Sequence, residues 1–383
     1  MKKFLLIPDS FKGTMDSQSL CRIMEEAIGR HYPHANIVSV PVADGGEGTV
    51  DAFLAALGGQ KIRLTVKGPL LEETESFYGL IDQGRAAVIE MAAAAGLPLI
   101  SDRKDPLKAT TFGVGQLILD AAARGVSRII MGLGGSATND GGCGAAAACG
   151  IRFLDAAGQA FIPAGGSLAA IHRIDPSAVN PLLAGISFTA MCDIDNPMFG
   201  PQGAARVFAP QKGANEREVE ILDQGLEHLA ALIRRDLDKD PAHLPGAGAA
   251  GAMGAGLHAF FGADLQSGIQ VILDTVRFEE LARDADLILT GEGRIDGQSI
   301  RGKAVLGIAR RARKLGIPVV AIVGDIGQGV ETLYDEGISG IFSINRVALD
   351  LPSALKRSQS DLSLTVDNLM RFIKRMEEGS SSS

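Results

Sequence analysis

Acids, amides and cations stand among glycines at several separate places in this chain. Asp9, Ser10 and Lys12 close an apolar run, and Asp44 and Glu47 sit among Gly45, Gly46 and Gly48. Ser136, Asn139 and Asp140 follow Gly134 and Gly135, Asp193 ends the run GISFTAMCD, and Lys212 stands in PQKGA. Gly291, Glu292, Gly293, Arg294 and Asp296 follow a further apolar run, with Lys303 beyond them. Glycine lets a backbone approach a ligand closely and point its N–H groups at an anion. Carboxylates that converge repel one another unless cations share the site, so lysines, an arginine and a divalent metal are implied. Singly, each carboxylate is more often a helix cap or a turn residue. Together, anion loops, carboxylates and lysines describe phosphoryl transfer, where the protein positions its substrates, neutralises charge and supplies one base.

The elements that must carry these residues alternate. KKFLLIPDS reads as a strand and is followed by a helix from Ser17 with Leu20, Ile23, Met24, Ala27 and Ile28 on one face. NIVSVPVADGGEGT is a second strand, and Val50, Phe53, Leu54 and Leu57 face inward from the next helix. This βαβα order is that of a parallel α/β sheet. From Lys61 the pattern changes to short alternating runs, KIRLTVKG, ESFYGLI and AAVIEMA, which predict a small antiparallel meander. A helix with Thr110 or Thr111 near its cap then leads into RIIMG and the glycine loop through Gly144. A long helix carries Val219, Leu222, Leu226, Leu229 and Ile233 on one stripe. The α/β order returns with DADLILT, a strand that breaks into a loop from Thr290 to Asp296. A helix, the strands PVVAIVGD and GIFSI, and a final helix burying Leu362, Val366, Leu369, Phe372 and Ile373 follow.

The expected fold is α/β with two domains. A Rossmann/flavodoxin-like parallel-sheet domain is built from both chain ends, residues 1–60 plus 285–378, and a mixed α/β domain, 61–284, is inserted between. The strand 128–133 belongs to either, and 379–383 reads as a disordered tail. A chain of 383 residues is long enough for two cores.

Composition excludes several classes. Net charge is −8 with no like-charged block, and there are three Tyr and no Trp, which is unlike a nucleic-acid surface. No uninterrupted apolar stretch reaches the ~18 residues of a membrane span, and Pro8, Asp9 and Lys12 cut short any signal peptide. Cys21, Cys143, Cys149 and Cys192 lack paired spacing, so free thiols in a cytoplasmic protein are expected. Two motif matches fail. GAGAAG, from Gly246, follows no strand, so it is no dinucleotide fingerprint but an anion-facing loop before a helix. GQSIRGKA, from Gly297, has Ala304 where a P-loop needs a hydroxyl, although Lys303 can still touch phosphate. In open parallel sheets ligands bind outside the carboxyl ends of the strands, and there the acids gather.

PDSFKG, VPVADGGEGT, GGSATNDGG, CDIDNPMFG, PQKGA, PGAGAAGAMG and LTGEGRIDGQSIRGK are similar, in order, to the signature segments of bacterial glycerate kinases. The resemblance runs from Lys2 to about Arg375. It implies ATP-dependent phosphorylation of D-glycerate with Mg2+, in two α/β domains with the active site in the cleft between them. It also implies 2-phosphoglycerate as product rather than the 3-isomer. Ala252 departs from the glycine expected in that loop and narrows the backbone's approach.

On this reading Asp193 is the base, because it ends a strand of the inserted domain, and Asp44 and Lys212 complete the catalytic set. Asp9, Ser10, Lys12, Glu47, Ser136, Asn139 and Asp140 bind substrate, and Asp44 and Asp140 are the magnesium candidates. Gly134, Gly135, Gly291, Glu292, Gly293, Arg294, Asp296 and Lys303 serve the nucleotide. The partners are D-glycerate and ATP, with no nucleic acid or membrane, and the protein is a monomer or homodimer. A kinase of another small hydroxy acid and a non-catalytic sugar-acid sensor remain open. A Rossmann dehydrogenase would need its glycine motif directly after a strand.

Overall fold

The computed structural model describes residues 1–43, 45–297 and 304–380, so Asp44 and Lys303, both expected in the site, lie outside the described residues. The chain divides into two compact units, Met1–Ala43 with Ile269–Ser383, and Asp44–Gly268. The first-unit strands are β1 (Lys3–Pro8), β2 (Asn36–Ser39), β12 (Leu287–Ile295), β13 (Val319–Ile326) and β14 (Ile338–Ser343). Those of the second are β3 (Gln60–Lys67), β4 (Glu73–Ile81), β5 (Ala86–Glu90), β6 (Arg128–Gly132), β7 (Arg152–Leu154), β8 (Ala160–Phe161), β9 (Arg173–Asp175), β10 (Ser187–Met191) and β11 (Asp264–Gln266).

The first unit is a parallel sheet in the order β14-β13-β12-β1-β2. Phe4, Leu5, Leu6 and Ile7 are wholly buried, as a strand covered on both faces requires. The helix Ser17–Gly29 is capped by Asp16, whose carboxylate accepts from the Ser19 N–H at 2.6 Å. The chain passes from β1 to β2 on one side and from β12 to β13 and β14 on the other. The order therefore reverses between β1 and β12, and a ligand crevice belongs at their carboxyl ends.

Three expectations here change. Thr290–Ile295 is strand and not loop, because β12 stays in register with β13 as far as Ile295 opposite Ile326. The glycines serve close strand contact, since a Cβ on Gly291 would lie 2.1 Å from the Ile322 carbonyl oxygen. Phe372 is exposed, as is Leu57 in the other unit. The last helix, Leu351–Ser380, takes in Gly379 and Ser380, and 381–383 lie outside the described residues.

The second unit holds a six-stranded sheet, β11-β10-β6-β5-β4-β3. β11, β10, β6 and β5 are parallel, and β5, β4 and β3 form the antiparallel meander that the alternation predicts. β6 lies inside this sheet. A second sheet, β8-β7-β9, fills a stretch that carried no clear period. The unit boundaries fall at Asp44 and Gly268, earlier than the changes of pattern at 61 and 284. The helix Thr49–Leu57 goes with the second unit because its first turn packs on the meander: a Cβ on Gly79 would stand 3.1 Å from Val50 Cγ1.

Candidate active site

Four parallel strands of the second unit end side by side. Glu90 is level with Gly132, Gly132 with Met191, and Met191 with Gln266. The residues that follow share one edge: the loop 133–142, the segment 192–196, and Ser267 with Gly268. The glycines of ADGGEGT join them. The Gly134 N–H donates to the Gly45 carbonyl at 2.9 Å. A Cβ on Gly132 would lie 2.5 Å from that oxygen, and one on Gly134 would lie 2.4 Å from Gly46 Cα. Two loops can lie backbone to backbone here only because both positions lack a side chain.

Lys212 ends the short turn Pro210–Lys212 and is 2% exposed. Its ammonium donates to Ser136 Oγ and to the Thr138 carbonyl, each at 2.7 Å. Both partners are neutral, and among the described residues no carboxylate pairs with Lys212 within 4 Å. Burial pushes its pKa down to about 7, against the opposing field of Asp140. Beside these bonds, Thr138 Oγ1 and both amide atoms of Asn139 are buried with no hydrogen-bond partner among the described residues. A buried lysine with no carboxylate in direct contact, next to unused donors and acceptors, is chemically suited to an anion.

Asp140 differs from its neighbours. It is wholly buried, and Oδ2 accepts from Thr111 N at 2.7 Å, Thr111 Oγ1 at 2.8 Å, Thr110 Oγ1 at 3.2 Å and Gly144 N at 3.1 Å. Oδ1 accepts from Gly142 N at 3.1 Å. Burial raises its carboxyl above the ordinary range while these donors favour the charged form. Both oxygens are thus spent on the chain, and Thr111, at the head of the helix Phe112–Ala123, gives its hydroxyl to Asp140 instead of capping its own helix.

The GAGAAG stretch is a buttress. Ala250, Gly251 and Ala252 are all left-handed, with φ of 56°, 67° and 66°. The Gly251 carbonyl accepts from the Gly141 N–H at 3.0 Å, and a Cβ on Gly251 would lie 2.0 Å from the Thr138 carbonyl oxygen. The turn therefore presses on the backbone that carries Asn139. Ala252 occupies a conformation that suits glycine, at a cost of about 1–2 kcal/mol.

Asp193 follows β10 and is exposed, with Oδ1 accepting from the Gly268 N–H at 2.9 Å. Glu47 and Asp195 are also exposed. Among the described residues no three His, Cys, Asp or Glu side chains group as a ready metal cage. The exposed carboxylates Glu47, Asp193 and Asp195 are hard oxygen donors, and magnesium is ordinarily held through one or two such groups together with substrate phosphates.

The first unit collects the other expected residues at its reversal point. The Asp9 N–H donates to the Gly291 carbonyl at 2.8 Å, and the Ser10 N–H donates to Asp9 Oδ1 at 2.6 Å. Lys12 is exposed. Glu292 is buried within β12, while Arg294 is exposed, 3.7 Å from Asp296 and 3.6 Å from Asp325. A Cβ on Gly293 would stand 3.7 Å from Phe11 Cα, so the loop after β1 runs close along β12. Thus Asp9, Ser10, Lys12, Glu292, Arg294 and Asp296 belong to one unit, and Glu47, Ser136, Asn139, Asp140, Asp193 and Lys212 to the other. Asp325, beside Arg294, and Glu90, at the end of β5, lie next to these residues and were not among the expected acids. Thr110 and Thr111 left no comparable signal.

Residues 4–374 match the model of the glycerate kinase family. The glycerate kinase of Halalkalibacterium halodurans is 44% identical over 370 residues, covering 96% of this chain and 97% of its own. The glycerate 2-kinase of Escherichia coli K12 is 44% identical over 343 residues, 89% of this chain and 90% of its own. A crystal structure from Salmonella typhimurium LT2, described as a "putative glycerate kinase 2", superposes with a TM-score of 0.87 at 40% identity, covering 98% of this chain and 99% of that one. The chain belongs to the glycerate kinase family.

Proposed function

We propose that this protein transfers the γ-phosphate of ATP to the 2-hydroxyl of D-glycerate, giving 2-phosphoglycerate and ADP. The family supplies the reaction class, a phosphotransferase with an alcohol acceptor. The name of the E. coli relative, a glycerate 2-kinase, supports the 2-position. The observation that carries the reading is Lys212, buried beneath a glycine loop with only neutral partners.

On this reading Lys212 and the N–H groups of the glycine loop beyond Gly134, whose own N–H is held by Gly45, meet the charge that grows on the transferred group, while Gly134 and Gly135 admit the close approach. Preset donors of this kind need no reorganisation during the reaction. Asp193, exposed at a strand end, accepts the proton of the glycerate hydroxyl. Ser10 and Lys12 take the glycerate carboxylate, with Asp9 shaping their loop through its bond to Ser10. Ser136 and Asn139 lie beside the reacting phosphate. Glu292, Arg294 and Asp296 serve the nucleotide, with the backbone of Gly291 and Gly293. Asp140 holds the loop together from within and does not ligate metal. Glu47 is the exposed acid that would hold magnesium, together with Asp44 of the same glycine loop. Magnesium, when bound, offsets the charge of the ATP phosphates. We place the reaction in the cytoplasm, consistent with four free cysteines.

The test is ADP release from ATP and magnesium in the presence of D-glycerate, D-lactate or glycolate. D-glycerate is expected to give the highest kcat/KM. Faster turnover of another hydroxy acid would move the substrate, and no turnover with any would overturn the reading.

A further inference from the structure

Glu90 is the one strand-end acid of the second unit's parallel edge that the proposed chemistry does not use. It is 2% exposed, at the end of β5, level with Gly132. Its Oε1 accepts from the Val50 N–H at 2.6 Å, across 40 residues of chain, and the Gly48 N–H also favours its charged form. Burial pushes its carboxyl pKa upward against those two bonds.

The reason for so remote a bond lies in Gly48. It is the residue before the helix Thr49–Leu57, where a serine or aspartate side chain would ordinarily cap the first turn. Gly48 has φ of 90° and brings no side chain, so the helix has no local cap. The Thr49 hydroxyl turns back to the Gly46 carbonyl at 2.7 Å and braces the loop rather than the helix. The first turn is left to a buried carboxylate from a neighbouring strand. That strand stands beside β6, whose loop takes the Gly45 carbonyl on the Gly134 N–H. One short peptide, Gly45–Gly48, is therefore fixed at both ends to the edge that carries Ser136 and Asn139. Between the fixed ends it presents Glu47 outward.

We propose that Glu90 is a positioning residue for the phosphoryl-transfer site: it stands in for the missing helix cap and sets the Gly45–Gly48 loop, with Glu47, against the Ser136–Asp140 loop. An ordinary cap would stabilise the helix alone. A cap carried on β5 ties the loop's position to the strand edge as well. Glu90 touches no substrate on this account.

The proposal rests on the kinase reading for its activity measurement only. Glu90→Gln keeps one acceptor oxygen for the Val50 N–H but turns the other into an NH2 that cannot accept, and removes the charge that the Val50 and Gly48 N–H groups favour. KM for D-glycerate is expected to rise about tenfold or more, with KM for ATP within about twofold. The thermal midpoint should stay within about 5 °C of wild type. Faster hydrogen exchange at Gly48 and Val50 is expected alongside. Glu90→Asp, too short to reach, should behave like Gln at lower pH as well as neutral pH. Unchanged KM for D-glycerate despite faster exchange would overturn the proposal, as would equal loss of both KM values with a collapsed midpoint. If wild type phosphorylated no hydroxy acid, the kinase reading would fail, while the exchange data would still report whether Glu90 holds the loop.

Discussion

Replacing Lys212 by methionine removes a buried charge while keeping most of the side chain's length. Two opposite consequences follow from the same geometry. For stability, the ammonium's pKa falls from 10.5 to about 7 on burial. At about 1.36 kcal/mol per pH unit, a lowering of about 3.5 corresponds to roughly 5 kcal/mol against the charged form. Between pH 7 and 10.5 the unfolded chain holds a proton that the folded chain has released. Wild-type stability therefore gains from this group as pH rises through that window, and the gain is absent below pH 7. Lys212→Met removes this slope. Its cost is two hydrogen bonds, about 1 kcal/mol each, so near pH 6 the variant should be at least as stable as wild type. For catalysis, loss of a preset donor to the transferred phosphoryl costs about 3–4 kcal/mol, or 10²–10³ in kcat. Urea midpoints at pH 6, 7 and 9, with kcat at pH 6, where the folded chain keeps the Lys212 proton, measure both. A variant with wild-type kcat, or one that keeps the wild-type pH slope of stability, would refute the reasoning.

Other substitutions test separate parts of the account. Asp193→Asn should lower kcat by about 10²–10⁴ with thermal stability and ATP affinity intact, which steady-state kinetics and a melting curve check together. Asp140→Asn leaves several buried donors facing an amide, so a loss of about 3 kcal/mol in urea unfolding is expected. Gly251→Ala places a Cβ against the Thr138 carbonyl in a left-handed turn; activity should drop and stability fall by more than ~2 kcal/mol. Ala252→Gly relieves the left-handed strain at some entropic cost, and a net gain of about 0.5–1 kcal/mol is expected by calorimetry.

Much of the fold was legible because burial imposes simple patterns. FLLI and VVAIV are apolar without alternation and became strands covered on both faces, whereas KIRLTVKG and ESFYGLI alternate and became the meander. Several strand ends were legible too, where an apolar run stops at an acid or a glycine, as at Asp9, Glu90 and Gly132. What failed did so where tertiary pairing overrode local signals. Thr290–Ile295 has the residues of a turn but remains strand, because β13 is long enough to pair with it and glycines admit the contact. The unit boundary at Asp44 was hidden because the helix Thr49–Leu57 has the spacing of an ordinary α/β crossover helix. Only its contacts with Gly79 and Glu90 assign it to the second unit. Within the site, residue type identified Lys212 and Asn139 but not their condition. That one is buried with neutral partners and the other has an unused amide is set by tertiary packing, which no period announces. Asp140 shows the converse, for its type suited a metal and its surroundings spend it on hydrogen bonds.

The central claim is tested most directly by the phosphorus spectrum of the product formed from ATP, magnesium and D-glycerate. Phosphate on the 2-oxygen couples to a single proton and gives a doublet, whereas phosphate on the 3-oxygen couples to two and gives a triplet. The account predicts a doublet that grows with ADP and is lost when Lys212 or Asp193 is replaced. A triplet, or ADP formed without any phosphorylated glycerate, would contradict it.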